Sequence, residues 1–353
     1  MKLYRLFLPL LIITQVSCSQ VKEVKLLPPD NGIYNTAFST KYSAPNNVSE
    51  KEVPYFENLT GKKIVWLNFA NDWFNGIKFP AESVKNIWKS GAMPSIRMLP
   101  WSSYSKNDMT YSLKKIADGN FDTELKQWAD ELQKSGVPVL IDFAGEPNGD
   151  WFPWSGINNG GSKTDGYGDK SLADGPELYR DTYRHIIDLF KAQHVTRVTW
   201  VFHAAGLSAP DEEWNNMKNY YPGDDYIDWI GVSAYGPQRW GDSYQRFFDV
   251  LSPAYAQLCN ISDSKPLAVL EFGIADYLPN VNKALWIQGA LYTVQLPSFN
   301  RIKAIGWWNS TWTNADGTMS AIQIDSSPES LRFYKEGIAQ PVFVSDYKLT
   351  KEK

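Results

Sequence analysis

The chain has only two cysteines, Cys18 and Cys259, so at most one intramolecular disulfide is available and no disulfide framework can hold the fold. Its three histidines, His185, His194 and His203, show no HExxH-type spacing, and no metal is expected. Neither a GxGxxG nor a GxxxxGK[ST] loop occurs, which removes the usual dinucleotide and phosphate cradles; no cofactor is implied. Positive charge is in slight deficit: 35 Lys+Arg stand against 39 Asp+Glu, a net of −4, with no basic run to bind nucleic acid. What the chain has instead is aromatic surface, with 15 Trp and 19 Tyr. Such rings offer a flat face and a polar edge, which suits sugar recognition, although core packing accounts for many of them in any protein. With 353 residues and 43% hydrophobic content, a large core forms without metal or disulfide.

The first segment, "MKLYRLFLPLLIITQVSCSQ", reads as an export signal. Lys2 and Arg5 form its positive end, and its apolar stretch is too short to span a bilayer as a stable anchor. The "VSC" that follows resembles the cleavage box of bacterial lipoproteins, with Cys18 as the lipidated residue and Gln15 departing from the usual leucine. Residues 1–18 are therefore expected to be a lipoprotein-type signal, 19–30 a tether, 31–340 one catalytic domain and 341–353 a polar tail. The expected location is the cell surface or outer membrane by lipid anchor, with plain secretion as the alternative. If Cys18 carries lipid, Cys259 is left as a small buried hydrophobe.

Eight short apolar runs follow: 32–38, 63–70, 94–101, 137–146, 196–204, 226–236, 266–273 and 302–309. Several are nearly continuous, the pattern of strands buried on both faces of a parallel sheet. Helical periodicity falls between them, most clearly in "FDTELKQWADELQKSG", where Leu125, Trp128, Ala129 and Leu132 share a face. There Asp122 is a candidate cap, and Gly136 with Pro138 a stop. Alternating strands and helices in eight units predict an α/β fold, a (β/α)8 TIM barrel; an open doubly wound sheet is the alternative.

In such a barrel the functional groups sit where strands end, on the C-terminal face. Glu146 ends the fourth run, within "FAGEPNGDWFPWSG", and Glu271 ends the seventh; Tyr235 and Trp307 end the sixth and eighth. Two acids across one barrel mouth are what glycoside hydrolysis requires, one to protonate the leaving oxygen and one to attack or to activate water. This assigns Glu146 as acid/base, sheltered from water by Trp151, and Glu271 as nucleophile, with Tyr235 donating to it. His203, at the end of the fifth run, either lines the site or is a satisfied core histidine.

"GEPNGDWFPW" resembles the acid/base segment of glycoside hydrolase family 26, usually His-Glu-x-Asn-Gly-x-Trp-[FY]-x-Trp. The blocks "GIYNTAF", "GPELYRDTYRHIIDLF", "VTWVFH", "YIDWIGVSAYG", "PLAVLEFG" and "AIGWWN" follow in family order, covering roughly residues 30–340. The resemblance implies a retaining double displacement on a β-linked polysaccharide: endo-β-1,4-mannanase first, with mixed-linkage or β-1,3-glucanase and β-1,3-xylanase as alternatives. It also implies a sugar-stacking role for Trp307 and carries over Trp151 by its spacing from the acid, with Asn148 inside the same motif. Two departures stand out: Gly145 replaces the usual histidine, and Asp142 a common arginine. Asp142 should point into the barrel, and an unpaired buried acid is costly, so Arg97 on the preceding strand is expected to pair with it.

Trp73, Trp101, Trp154, Trp240 and Trp312 fall near strand ends and are candidate sugar platforms, with packing as the alternative for each. The Gly/Asp-rich segment 155–175 is a loop in which Asp165, Asp169 and Asp174 are a minor calcium candidate that fails the EF-hand spacing. Asn309 lies in an "NST" sequon at the expected mouth, where a glycan would obstruct the site. The chain is expected to be a monomer. A non-catalytic polysaccharide-binding barrel and an envelope lipoprotein with purely packed aromatics remain as readings from other classes.

Overall fold

The computed structural model describes residues 23–314 and 317–350. Eight strands, β1 (Ile33–Ser39), β2 (Trp66–Asp72), β3 (Met93–Leu99), β4 (Val139–Phe143), β5 (Val198–Ala205), β6 (Trp229–Tyr235), β7 (Leu267–Gly273) and β8 (Ile302–Asn309), pair in sequence order. All pairings are parallel, and β8 returns to β1 to close the barrel. Each strand is followed by its helix: α1 (Glu52–Thr60), α2 (Ala81–Lys89), α3 (Asp122–Ser135), α4 (Asp174–Ala192), the single turn α5 (Met217–Tyr220), α6 (Phe247–Ile261), α7 (Lys283–Thr293) and α8 (Pro328–Ile338). The fold is a (β/α)8 barrel, and every apolar run read as a strand is one.

Helix α3 shows why the periodic pattern is decisive. Leu125, Trp128, Ala129 and Leu132 are its buried face, and Gly136 ends it in the left-handed conformation, φ 65°. Asp122 does not cap the helix: it is the first helical residue and its carboxylate meets His185 Nε2 at 2.7 Å instead.

Two apolar layers result. The outer one lies between strands and helices. The inner one fills the barrel with Tyr34, Trp66, Met93, Leu140, Val201, Trp229, Ala268, Leu270 and Ala304. The segment read as a tether takes part in this layer: Leu26 is buried in it, its carbonyl accepts from Trp229 Nε1 at 3.0 Å, and Leu26–Leu27 pair antiparallel with Lys348–Leu349. The segment read as a polar tail is likewise tied down, because Phe343–Val344 extend the sheet beside Ile33–Tyr34. Burying Leu26 and Phe343 closes the N-terminal end of the barrel, which outweighs the polar character of both segments. Cys259 is half-buried against the outer layer and forms no disulfide among the described residues.

Candidate active site

Glu271 reaches the lumen through an irregularity in β7. Ala268 and Leu270 already face the inner layer, so strict alternation would send Glu271 outward. The register shifts at this point against both neighbours, pairing Ser233 with Glu271 and Phe272 with Trp307. The extra residue turns Glu271 inward, and Phe272 takes the outward place against Phe247 and Trp307. Gly306 opposite leaves room for the bulge: a Cβ there would stand 2.7 Å from the Leu270 carbonyl oxygen.

Once inside, Glu271 is buried. Tyr235 Oη donates to its Oε2 at 2.8 Å, and Arg97 Nη2 lies 3.2 Å from its Oε1. Burial pushes the Glu271 carboxyl up, Arg97 and His203 pull it down, Glu146 adds repulsion and the Tyr235 hydrogen bond pulls down again. The net direction is upward from the ordinary carboxylate value, so Tyr235 does not by itself hold this acid low.

Glu146 sits beyond the end of β4 in the left-handed region, φ 60°, with Ala144 at φ 49° two residues before it. Such angles cost a non-glycine residue energy and persist where surrounding bonds impose them. Here Ala144 N donates to the Met98 carbonyl at 2.9 Å and Glu146 N to that of His203 at 2.8 Å. Asn148 completes the clamp, accepting from Ala205 N at 2.8 Å and donating to Ala205 O at 2.9 Å. The Glu146 carboxylate then accepts from Trp151 Nε1 at 3.0 Å, and the Trp151 ring remains 40% exposed at the mouth.

Below the two glutamates lies a charged frame. Arg97 and Asp142 are directly opposite in the β3–β4 register, with Nε 3.9 Å from Oδ2. That is an ion pair without a hydrogen bond; the shorter partner of Asp142 is His203, whose Nδ1 lies 2.7 Å from Oδ2. His203 Nε2 meets Ser233 Oγ at 2.8 Å, and the ring is 1% exposed. With both nitrogens engaged and the ring buried, His203 is the satisfied core histidine of the two readings and does not line the site as a substrate contact. Burial opposes protonation of His203, but Asp142 outweighs it through charge and hydrogen bond, and the imidazole is held above its ordinary value. Arg97 and the Asp142–His203 hydrogen bond are thus set against the two acids Asp142 and Glu271, which is how a buried group of charges is tolerated.

The aromatic candidates divide sharply. Trp307 is fully buried: its Nε1 donates to Ile322 O at 3.1 Å and its ring packs on Phe272 and Tyr334. It faces the helices and is no sugar platform, because β8 alternates and the lumen-facing residues are Ala304, Gly306 and Trp308. Trp308, half-buried, stacks on Phe38 with ring centres 3.7 Å apart and has the Arg97 guanidinium 5.0 Å from its ring. Sequence reading missed it, although the alternation of small residues in "AIGWWN" carries the signal. Trp73 and Trp154 are also buried and become packing residues; Trp154 Nε1 donates to Gly145 O at 2.8 Å. Trp101 is half-buried among Phe74, Tyr104 and Phe152, Trp312 is half-buried, and Trp240 is 73% exposed.

Two of the three loop acids are otherwise engaged. Asp174 accepts from Gly166 N and Tyr167 N, and Asp169 from Ser171. Among the described residues no cluster of three or more His, Cys, Asp or Glu is arranged to hold a metal. The sequon residue Asn309 is buried, bonded to Ser39 Oγ at 3.2 Å and Ile324 N at 2.7 Å.

The family model of glycosyl hydrolase family 26 matches residues 106–266, a span that includes Glu146 and Tyr235 and stops short of Glu271. That span is a little under half of the chain, and over it the chain is similar to glycosyl hydrolase family 26. The chain is 27% identical over 310 residues to Endoglucanase H of Acetivibrio thermocellus, an alignment covering 87% of the chain and 31% of that relative. It is 28% identical over 207 residues to a mannan endo-1,4-beta-mannosidase of Bacillus subtilis, covering 59% of the chain and 46% of the relative. The chain thus spans less than half the length of these curated relatives. Among solved structures, the catalytic domain of a Bacillus sp. endo-beta-1,4-mannanase shares its fold with TM-score 0.63 at 17% identity, covering 89% of this chain and 87% of that one.

Proposed function

We propose that the protein is a retaining endo-β-glycanase, acting first on β-1,4-mannan, with Glu271 as nucleophile and Glu146 as acid/base. The observation that carries this reading is the pair itself. Two buried glutamates stand at the ends of β4 and β7, each with an aromatic donor of its own, Trp151 on Glu146 and Tyr235 on Glu271. In the first step a carboxylate oxygen of Glu271 bonds to the anomeric carbon as the glycosidic bond breaks, and the Glu146 proton passes to the leaving oxygen. In the second, Glu146 takes a proton from water as its oxygen attacks the same carbon, and Glu271 departs as carboxylate. Trp308 and Trp151 present their rings beside this pair.

A second substrate is favoured by two observations. Gly145 stands in place of the family histidine, and the relative aligned over 87% of the chain carries the name endoglucanase. A β-glucan is therefore the alternative substrate for the same chemistry.

The test is release of reducing ends from galactomannan, mixed-linkage glucan, laminarin and β-1,3-xylan by the wild type and by Glu271→Gln. Hydrolysis by the wild type, with loss of turnover but retained oligosaccharide binding in the variant, supports the proposal. Wild type silent on every β-glycan overturns it. Proton NMR of the first-formed anomer distinguishes retention from inversion.

Export and lipid anchoring through Cys18 belong to the same proposal and rest on the signal-like sequence; residues 1–22 lie outside the described structure. Radiolabelled palmitate incorporated by the full chain and lost in Cys18→Ser supports anchoring; no incorporation by the wild type overturns it.

A further inference from the structure

Arg97 stands where three otherwise separate parts of the site meet. Its guanidinium lies 3.2 Å from Glu271, 3.9 Å from Asp142 and 5.0 Å from the centre of the Trp308 ring. The side chain is buried, and its Nε has no hydrogen-bond partner among the described residues; nor have Asp142 Oδ1 and Glu271 Oε1. A buried guanidinium with unsatisfied donors is expensive, so its position is dictated by charge and by the ring rather than by a full set of hydrogen bonds.

We propose that Arg97 is the positioning residue of the nucleophile: wedged between Asp142 and the face of Trp308, it fixes the orientation of the Glu271 carboxylate. This rests on the assignment of Glu271 as nucleophile. The reasoning is geometric. The Arg97–Asp142 register contact fixes the base of the side chain, and Trp308 fixes its plane, itself held by the stack on Phe38. The two oxygens of Glu271 are then addressed separately: Oε2 takes the Tyr235 hydroxyl and Oε1 faces Arg97. A carboxylate held at both oxygens cannot rotate freely, and near-attack geometry depends on that restraint. His203 engages Asp142 Oδ2 at 2.7 Å, leaving Arg97 available to Glu271.

The titratable groups facing Glu271 are Arg97 from β3, Asp142 from β4, Glu146 from the loop after it, His203 from β5 and Tyr235 from β6. Removing Arg97 takes away the strongest pull toward the anion. In Arg97→Met, the acidic limb of kcat/KM, which reports ionisation of the free enzyme's nucleophile, should move up by about one to three pH units. At the wild-type optimum kcat should fall on the order of a hundredfold with little change in KM. Arg97→Lys retains the charge on a non-planar head, and its limb should stay within about half a pH unit of the wild type while kcat still falls.

The experiment measures pH–rate profiles of wild type, Arg97→Met and Arg97→Lys on whichever β-glycan the wild type cleaves, with thermal midpoints to follow folding. A raised limb in the Met variant and an unmoved one in the Lys variant support the proposal. If Arg97→Met does not fold, the Lys variant decides: full kcat with an unmoved limb means that the fork geometry does not position Glu271 and overturns the proposal. Unmoved limbs in both variants also overturn it. Failure of the wild type on every β-glycan is a different outcome, which removes the catalytic assignment on which this one stands.

Discussion

Gly145 and His203 occupy one shared volume. A Cβ added at Gly145 would stand 2.9 Å from His203 Nδ1 and 3.0 Å from Asp142 Oδ2, while those two atoms are themselves 2.7 Å apart. The Asp142–His203 pair and any larger residue at 145 are therefore mutually exclusive in this arrangement. The departures at 142 and 145 are one change and not two: the acid at 142 recruits the β5 histidine, and only glycine leaves it the space.

Gly145→Ala should accordingly destabilise the fold by about 1–3 kcal/mol, because the clash falls on a buried, mutually bonded pair that has little freedom to move. Urea denaturation checks this. In the double variant Gly145→Ala/His203→Ala, the cost of the alanine at 145 should shrink, since its obstacle is gone. Additive costs in the double-mutant cycle would contradict the shared-volume account.

Much of this architecture was legible in sequence because its signals are local. Near-continuous apolar runs marked all eight strands, and the i, i+3, i+4, i+7 spacing of Leu125, Trp128, Ala129 and Leu132 marked the buried face of α3. Placement of Glu146 and Glu271 at strand ends followed from the barrel rule. What was not legible depends on where the alternation slips. The bulge in β7 turns Glu271 inward after Leu270 and has no signature in "PLAVLEFG". In β8 the alternation is regular from Ala304 onward, but adjacent tryptophans made the choice between Trp307 and Trp308 depend on which strand face meets the lumen. Trp73 and Trp154 were ambiguous for a different reason: a tryptophan near a strand end packs inward or outward according to loop conformation, which composition does not encode.

Lys283 supplies a pH-dependent prediction for stability. It begins α7, buried, with Nζ donating to Gln323 O at 2.7 Å and Ser326 Oγ at 2.8 Å. Burial lowers its pKa, opposed by Asp276 and Asp325, and the net value falls to about 7 from an ordinary 10.5. Between those two values the unfolded chain binds the proton and the folded chain does not. Stability therefore gains from this group as pH rises through the window, and loses that gain as pH falls toward 7. Urea denaturation of the wild type and Lys283→Met at pH 7 and pH 9 checks the sign: the difference in their stabilities should move in favour of the wild type on raising the pH, by a few kcal/mol at most. A pH-independent difference would mean that Lys283 keeps its ordinary pKa.

The two adjacent tryptophans of β8 should separate stability from catalysis. Trp307 is fully buried between Phe272 and Tyr334 with its indole nitrogen bonded to Ile322 O, so Trp307→Ala leaves a large cavity and an unpaired carbonyl. The expected cost is about 3–5 kcal/mol of stability. Trp308 is half-buried on the lumen side, stacked on Phe38 and carrying Arg97 above its ring, so its loss removes less packing but frees the guanidinium. Trp308→Ala should lower kcat/KM about tenfold to hundredfold on the polysaccharide while the thermal midpoint falls less than in Trp307→Ala. Thermal melts and initial rates on both variants read the two effects independently. The reverse pattern, with catalysis following Trp307 and stability following Trp308, would place the sugar-facing side of β8 on the wrong parity.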